Sequence, residues 1–493
     1  MAAAPGAKGL TSLRTKLFYG FGSVAYGVKD NGFQTILLLF YNQVMHLPAQ
    51  LVGLAIFIAF LCDALLIDPV IGQVSDNLRT RWGRRHPLMY AAALPVAVSY
   101  LLLWNPPHWS QGAMFFYLLG VAIVVRTFIS FYEIPSSALV PEFSKDYDQR
   151  TSFMSFRVFF AWYGGMTMFA LAYIVFLTPD ATHKVGQLNE IGYSRYGLTA
   201  AIVMFVAILI SAAGTHKFIP LLRKAPARPV SLGQHFREML ATLSNRPFLI
   251  LIAAAIFLNL ATGLVFALDQ YVKTYFFELS NTQIFVLALS TFLAVFIAFL
   301  IALPISKRFG KRNGAVIFFA VGLVILVLPI VLRLVGLFPP NGDPLLMPIL
   351  FVIGTIAGAL TIGASVLMVS MIADVVEDSE LTTGRRSEGL FFAGNSLIQK
   401  AVTGLGVFAA GIVLWLAHFP TNAMPGRVDP AIIRNFALIY VPAVFVIYGL
   451  SLAVISRFPI TRERHEENLR RLAGEAGLVT EPPIGADAEA MVD

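Results

Sequence analysis

The chain has 493 residues, 57% hydrophobic and only 13% charged, with a mean hydropathy of +0.74, which excludes a soluble globular protein and indicates a polytopic membrane protein. The formal charge of +8 arises from short Lys/Arg clusters between apolar segments, without the basic face or aromatic-basic repeat of a nucleic-acid binder; positive-inside topology accounts for it. A single cysteine, Cys62, excludes a disulfide framework and a Cys-rich metal site.

Spanning the hydrocarbon core takes about 20 helical residues. Twelve segments meet that length, at 17–45, 51–77, 87–105, 112–140, 151–178, 196–215, 247–275, 281–305, 313–335, 346–376, 388–417 and 433–456. The first contains Lys29 and Asp30 and has no small-residue cleavage site, so it reads as a retained helix rather than a signal peptide. An even number of spans puts both ends of the chain on one side. Of the Lys and Arg outside the spans, 26 lie in the tails and the loops of that side, against only Lys184, Arg195 and Arg427 opposite. Both termini are therefore expected in the cytoplasm, most simply of a plasma (inner) membrane.

The second segment carries Asp63 and Asp68 inside apolar helix, then Pro69, and emerges into a loop with Asp76, Arg79, Arg81, Gly83, Arg84 and Arg85. A carboxylate at membrane depth costs several kcal/mol, roughly 2.5–3.5 on insertion scales, so it has a partner or a use. Two converging carboxylates offer hard oxygen ligands to Na⁺, or one can carry a proton. The plainer alternative is a pair of structural acids neutralised by Lys400 or an arginine. Five-residue spacing places them about 140° apart on a straight helix, and Pro69, which removes a backbone donor, invites a kink or π-bulge at this level. In the loop, Gly83 permits a tight turn, and the arginines can bond Asp76, nearby helix ends, Glu142 or Asp148. Such pairs can latch the cytoplasmic side; the alternative is topology signal and phospholipid contact.

The fourth segment holds Arg126 and Glu133, seven residues apart and so on one face. The fifth holds Arg157. Together with Asp30 these groups can hydrogen-bond hydroxyls in several directions, as a polyol requires, while Arg157, Arg126 and Lys29 can receive an anion. The alternative is that Arg126–Glu133 and Lys29–Asp30 mainly neutralise each other. The proline- and Arg-containing stretch 216–246 suits a cytoplasmic linker with a short amphipathic helix. It divides the chain into a half at 1–215, a half at 247–458 and a cytoplasmic tail at 459–493, acidic and disordered after Arg471. The loop after helix 8, Ser306-Lys307-Arg308-Phe309-Gly310-Lys311-Arg312, echoes the loop after helix 2, its glycine 227 residues beyond Gly83. Six helices return the chain to its starting side, so the repeat is parallel. Asp374, Glu377 and Asp378 face this second basic loop. Lys400 is the lysine deep in the second half, with Asn395 and Ser396 about one turn before it.

Two six-helix halves in parallel repeat, with a Gly-Arg-Arg loop after helix 2, resemble the major facilitator superfamily, an all-α fold. The chain is further similar to the glycoside–pentoside–hexuronide:cation symporters, the melibiose-permease group, through Lys16-Leu17-Phe18-Tyr19-Gly20-Phe21-Gly22, Lys29-Asp30, Asp68-Pro69 with Gly72, Trp82-Gly83, Met371-Ile372-Ala373-Asp374, and Lys400 with Gly404. The resemblance implies coupling-ion ligands at the helix 2 acids, Lys400 as their partner from the other half, and sugar contact at Asp30, Glu133 and Arg157. Family members space the helix 2 acids four apart, on one face; here they are five apart, and Asp68 is the one in register. Tryptophans that flank the sugar in melibiose-type members are matched here by Ser137 and Ser365. The run Pro135-Ser136-Ser137-Ala138-Leu139 is similar to the animal sodium-dependent lysophospholipid transporters of the same wider group.

The sequence contains no H-E-x-x-H, G-x-S-x-G, Cys/His cluster or P-loop, which argues against an enzyme and against ATP as the driver. The expectation is a monomeric secondary transporter in the lipid bilayer without catalytic residues, cofactor or metal beyond Na⁺, coupling Na⁺ or H⁺ to a small molecule of sugar, glycoside or uronide type by alternating access. The alternatives are a lysophospholipid or other amphipathic substrate, and an uncoupled facilitator or lipid scramblase.

Overall fold

The structure, a computed structural model, describes residues 7–144, 146–179, 185–222, 245–383, 388–460, 463–464 and 467–468. Residues 223–244 of the linker expected at 216–246, and the disordered tail expected beyond 471, lie outside the described residues.

Among the described residues, ten helical stretches are long and apolar enough to cross a membrane. They resolve into twelve spans for two local reasons. The stretch Asn281–Leu334 is broken at Gly310, whose φ of 78° and ψ of 162° are non-helical. The first span is not among the ten; it runs over 13–44 as short α-helical pieces interrupted by π-helical turns at Gly32–Ile36 and Phe40–Val44. In chain order the spans are α1 (13–44), α2 (Ala49–Asn77), α3 (His86–Leu103), α4 (Gln111–Phe143), α5 (Asp148–Phe176), α6 (Glu190–His216), α7 (Arg246–Phe276), α8 (281–309), α9 (311–334), α10 (Leu346–Thr383), α11 (Glu388–Leu416) and α12 (Pro430–Ile455).

Several starts are set by side-chain caps that satisfy otherwise orphaned backbone donors. Asp146 accepts from the backbone N–H of Gln149 before α5, and Asn245 from that of Phe248 before α7. Ser280 and Gln283 form a reciprocal capping box at the start of α8.

The basic loops after α2 and α8 each turn on a glycine of positive φ. Gly83 has φ 74° and Gly310 φ 78°, a conformation that costs an L side chain but not glycine. The two glycines matched in the parallel repeat thus share a positive φ.

Within the first six helices α1 packs on α5, α3 on α4 and α6, and α2 on α4; within the last six α7 packs on α11 and α12, and α8–α9 on α10. Three contacts cross between the sets: α2 along α11, the Gly32–Ile36 turn of α1 on α7, and the end of α5 on α8. These crossings bring the charged positions of α1, α2, α4, α5 and α11 together.

Candidate functional site

The site is built on a π-turn. The backbone N–H of Asp68 donates to the carbonyl of Asp63, closing the π-helical turn Asp63–Ile67. A π-turn, closed by an i→i+5 bond instead of i→i+4, winds more than 3.6 residues into each turn and so swings residues five apart toward one face. Pro69 follows immediately and cannot donate, so the regular ladder is already interrupted here. The sequence expectation of a bulge next to Pro69 is met, and both acids point the same way.

Four cations and four carboxylates then organise the interior, each cation with one nearest carboxylate partner. Arg126 of α4 donates through Nη2 to Asp63 Oδ2 at 2.7 Å, and both side chains are 1% exposed. The guanidinium also lies over the Phe60 ring at 3.6 Å, so the buried charge is both paired and stacked. Lys400 of α11 donates to Asp68 Oδ2 at 2.5 Å and stands 3.4 Å from Asp63 Oδ2, bridging the two halves. Arg157 of α5 pairs with Glu133 of α4; its other donors reach the Tyr19 hydroxyl at 3.1 Å, Ser136 Oγ at 3.3 Å and the Glu133 carbonyl at 3.2 Å. Lys29, buried, pairs with Asp30 at 3.2 Å and lies over the Tyr26 ring at 4.2 Å, while Gln34 donates to the second Asp30 oxygen at 2.8 Å.

The alternative reading of these charges holds only for Lys29 and Asp30, which do pair. Arg126 and Glu133 share a face of α4 but do not neutralise each other. Seven residues of helix separate them by about 10.5 Å along the axis, so each turns to another helix, Arg126 to α2 and Glu133 to α5.

The basic-loop residues form pairs within each half. Arg84 and Arg85 converge on Glu142 Oε1 at 2.6 and 3.2 Å. Arg85 also bonds Asp76 at 2.7 Å and Ser75 Oγ at 2.8 Å, and Arg79 is exposed. In the second half Lys311 bonds Asp374 at 2.5 Å, and Arg464 and Asn468 both donate to Asp378 at 3.1 Å. Glu377 is half-buried three residues after Asp374. In this conformation these pairs stitch helices of the same half together. Asn395, half-buried, and Ser396, exposed, lie about one turn before Lys400 on α11.

Two sets of residues escaped the sequence reading. Ser130, four residues after Arg126 on the same face of α4, touches both helix 2 acids, at 2.9 Å to Asp63 Oδ1 and 2.8 Å to Asp68 Oδ1; the i, i+4, i+7 series Arg126–Ser130–Glu133 was its available signal. The second set closes the face opposite the basic loops, where among the described residues several uncharged groups bond across the halves. Gln43 donates to the Pro420 carbonyl at 2.9 Å and accepts from the Ala423 backbone N–H at 3.0 Å. Tyr271 donates to Asn42 at 2.8 Å and Tyr173 to Gln270 at 2.5 Å; Thr274 donates to Gln187. Asn42, Gln43, Gln187, Gln270 and Thr274 are all at most 3% exposed. Amides near predicted helix ends carry no topology signal, which is why they went unread.

Similar proteins share both sequence and fold with this chain. It is 27% identical to an uncharacterized symporter of Synechocystis sp., over 93% of this chain and 96% of the other. It is 25% identical to the isoprimeverose transporter of Lactiplantibacillus pentosus, over 90% and 88%, and 22% identical to the sodium-dependent lysophosphatidylcholine symporter 1 of Xenopus tropicalis, over 97% and 93%. A crystal structure of a variant of the nucleoside transporter NupG superposes with a TM-score of 0.59 at 13% identity, over 90% of this chain and 99% of that one, which places the twelve helices in the major facilitator fold. The family model described as MFS/sugar transport protein matches residues 18–462, and the chain belongs to that family of membrane transporters.

Proposed function

We propose that the protein is a cation-coupled symporter of a neutral, hydroxyl-rich small molecule, a sugar or glycoside, working by alternating access. The observation that carries this is the one-to-one pairing of the interior charges: Lys29 with Asp30, Arg126 with Asp63, Arg157 with Glu133, Lys400 with Asp68. A permanently charged ligand that enters so balanced a set without the coupling ion leaves one charge uncompensated at low dielectric, which is expensive. A neutral polyol needs only hydrogen-bonding groups. The more exposed of these groups are mainly acceptors: the Asp30, Asp68 and Glu133 side chains are 32%, 24% and 21% exposed and the Lys400 side chain 19%, while Lys29, Asp63, Arg126 and Arg157 are buried. Hydroxyl donors suit them.

The coupling ion binds at the helix 2 acids, both termini lie in the cytoplasm, and the reading is transport rather than catalysis. The basic-loop pairs brace each half as a rigid body, the uncharged network closes the extracellular face, and the two halves rock about the Asp68–Lys400 contact.

A second reading, a lysophospholipid substrate, is favoured by one feature. Where melibiose-type members place tryptophans, the Ser137 and Ser365 hydroxyls turn back onto the carbonyls of Ile134 and Thr361 of their own helices, so neither position offers an aromatic plate to a sugar.

A thermal-shift screen of the purified protein against sugars, glycosides, uronates and lysophospholipids, with and without Na⁺, separates the two. Stabilisation by a neutral sugar or glycoside supports the proposal. Stabilisation by lysophospholipid alone replaces it with the second reading, and stabilisation by uronates over neutral sugars in the absence of Na⁺ contradicts the charge argument.

A further inference from the structure

Ser130 poses a proton-counting problem. Its hydroxyl lies 2.9 Å from Asp63 Oδ1 and 2.8 Å from Asp68 Oδ1, yet a serine hydroxyl has a single proton to donate. If that proton goes to Asp63, the contact with Asp68 sets two oxygens at hydrogen-bond distance with nothing between them. One added proton on Asp68 Oδ1 completes the chain. Asp68 then donates to Ser130 Oγ, Ser130 donates to Asp63 Oδ1, and Lys400 Nζ still donates to Asp68 Oδ2 at 2.5 Å.

Asp63 is not equivalent to Asp68. Its Oδ2 accepts from Arg126 at 2.7 Å with Lys400 at 3.4 Å, its Oδ1 accepts from Ser130, and the side chain is 1% exposed. Arg126 holds Asp63 by a charge-assisted bond while stacked on the Phe60 ring, so the Asp63 carboxylate is occupied. The groups facing Asp68 are Asp63 on its own helix, Ser130 on α4 and Lys400 on α11; Arg126 and Lys29 stand behind Asp63. Among the described residues no third carboxylate converges with this pair to hold a metal ion. A sodium ion here would have to share oxygens already held by a guanidinium and an ammonium.

We infer that the exchangeable ion of this site is a proton, carried by Asp68 against Ser130, and that Arg126 sets this choice by withdrawing Asp63 from the site. Uptake is a simple protonation of the Asp68 carboxylate to the acid, and release is its reverse. The inference rests on the symport reading for its place in a transport cycle, but the binding event needs no substrate.

The test uses the full purified chain in two measurements without substrate. Radiosodium binding at neutral pH is expected to show no saturable site in the wild type, and none in Arg126→Lys, which keeps a cation at Asp63. Arg126→Ser, which frees Asp63, is expected to gain saturable binding. Infrared difference spectra across a pH step are expected to show a protonated-carboxyl band that disappears in Asp68→Asn, persists in Asp63→Asn and shifts in Ser130→Ala, where its acceptor is gone. Saturable radiosodium binding to the wild type that Asp68→Asn removes overturns the proton assignment, as does a band that survives Asp68→Asn. A folded Arg126→Ser that stays blind to sodium overturns the role given to Arg126. Should the symport reading itself fail, no ion gradient drives accumulation of any substrate, while both ion measurements come out as stated here.

Discussion

Asp63 and Asp68 lie five residues apart, yet they share one helical turn, because the Asp68 backbone N–H closes on the Asp63 carbonyl. Everything at the site depends on that register: in a straight α-helix the two side chains diverge by about 140°, and Ser130 and Lys400 could not reach both. Pro69→Ala restores a backbone donor and removes the interruption. The segment can then anneal into α register, and the expected result is loss of ion-driven accumulation with membrane insertion retained. Unchanged accumulation contradicts the role of the π-turn.

The buried pair Arg126–Asp63 makes a stability prediction with a built-in control. Asp63→Asn leaves the Arg126 guanidinium, 1% exposed, without its counter-charge, at a cost of about 3–5 kcal/mol. The double variant Asp63→Leu/Arg126→Met removes both charges and should recover much of that loss. Thermal unfolding in detergent reads both; equal destabilisation of the single and double variants argues against the pair.

Gly310 tests the break between α8 and α9. At φ 78°, ψ 162° it occupies a region open essentially to glycine, and a Cβ there would meet nothing within 4 Å. The cost of Gly310→Ala is therefore pure backbone strain, about 1–3 kcal/mol, and should lower the unfolding temperature. Gly112→Ala, equally open in space but helical, should not.

Gln43 tests the uncharged seal. Gln43→Leu removes two bonds across the halves and leaves the Ala423 N–H without an acceptor, about 1–3 kcal/mol for such an unsatisfied group. Hydrogen exchange at the Ala423 amide should rise by roughly an order of magnitude or more, since about 1.4 kcal/mol corresponds to tenfold, with little change in α9. Unchanged exchange at Ala423 speaks against a seal held there.

The fold was legible where the physics is one-dimensional. Apolar length marked the spans, and Lys/Arg clusters and the Gly83–Gly310 correspondence marked the repeat. The break at Gly310 was read as a loop, and its left-handed backbone explains why. α1 was legible in extent but not in its π-turns, which leave no sequence period; the first of them packs on α7. At the site, Asp63, Asp68, Glu133, Arg157 and Lys400 stood out because charges at membrane depth are rare. Their pairing did not, because face-sharing along one helix says nothing of which neighbouring helix supplies the partner. Arg126 was matched to Glu133 for that reason. Ser130 and the amides of the seal carry no charge, and in sequence they resemble any other polar residue in a helix.

The most direct measurement is substrate accumulation by proteoliposomes holding the wild type or Asp68→Asn, with Na⁺ and H⁺ gradients imposed singly and then collapsed. An ion-coupled symporter built around Asp68 concentrates substrate in the wild type only while one of those gradients stands, and in Asp68→Asn it merely equilibrates or does not move substrate at all. Accumulation that survives the collapse of both gradients, or that is undiminished in Asp68→Asn, contradicts the account.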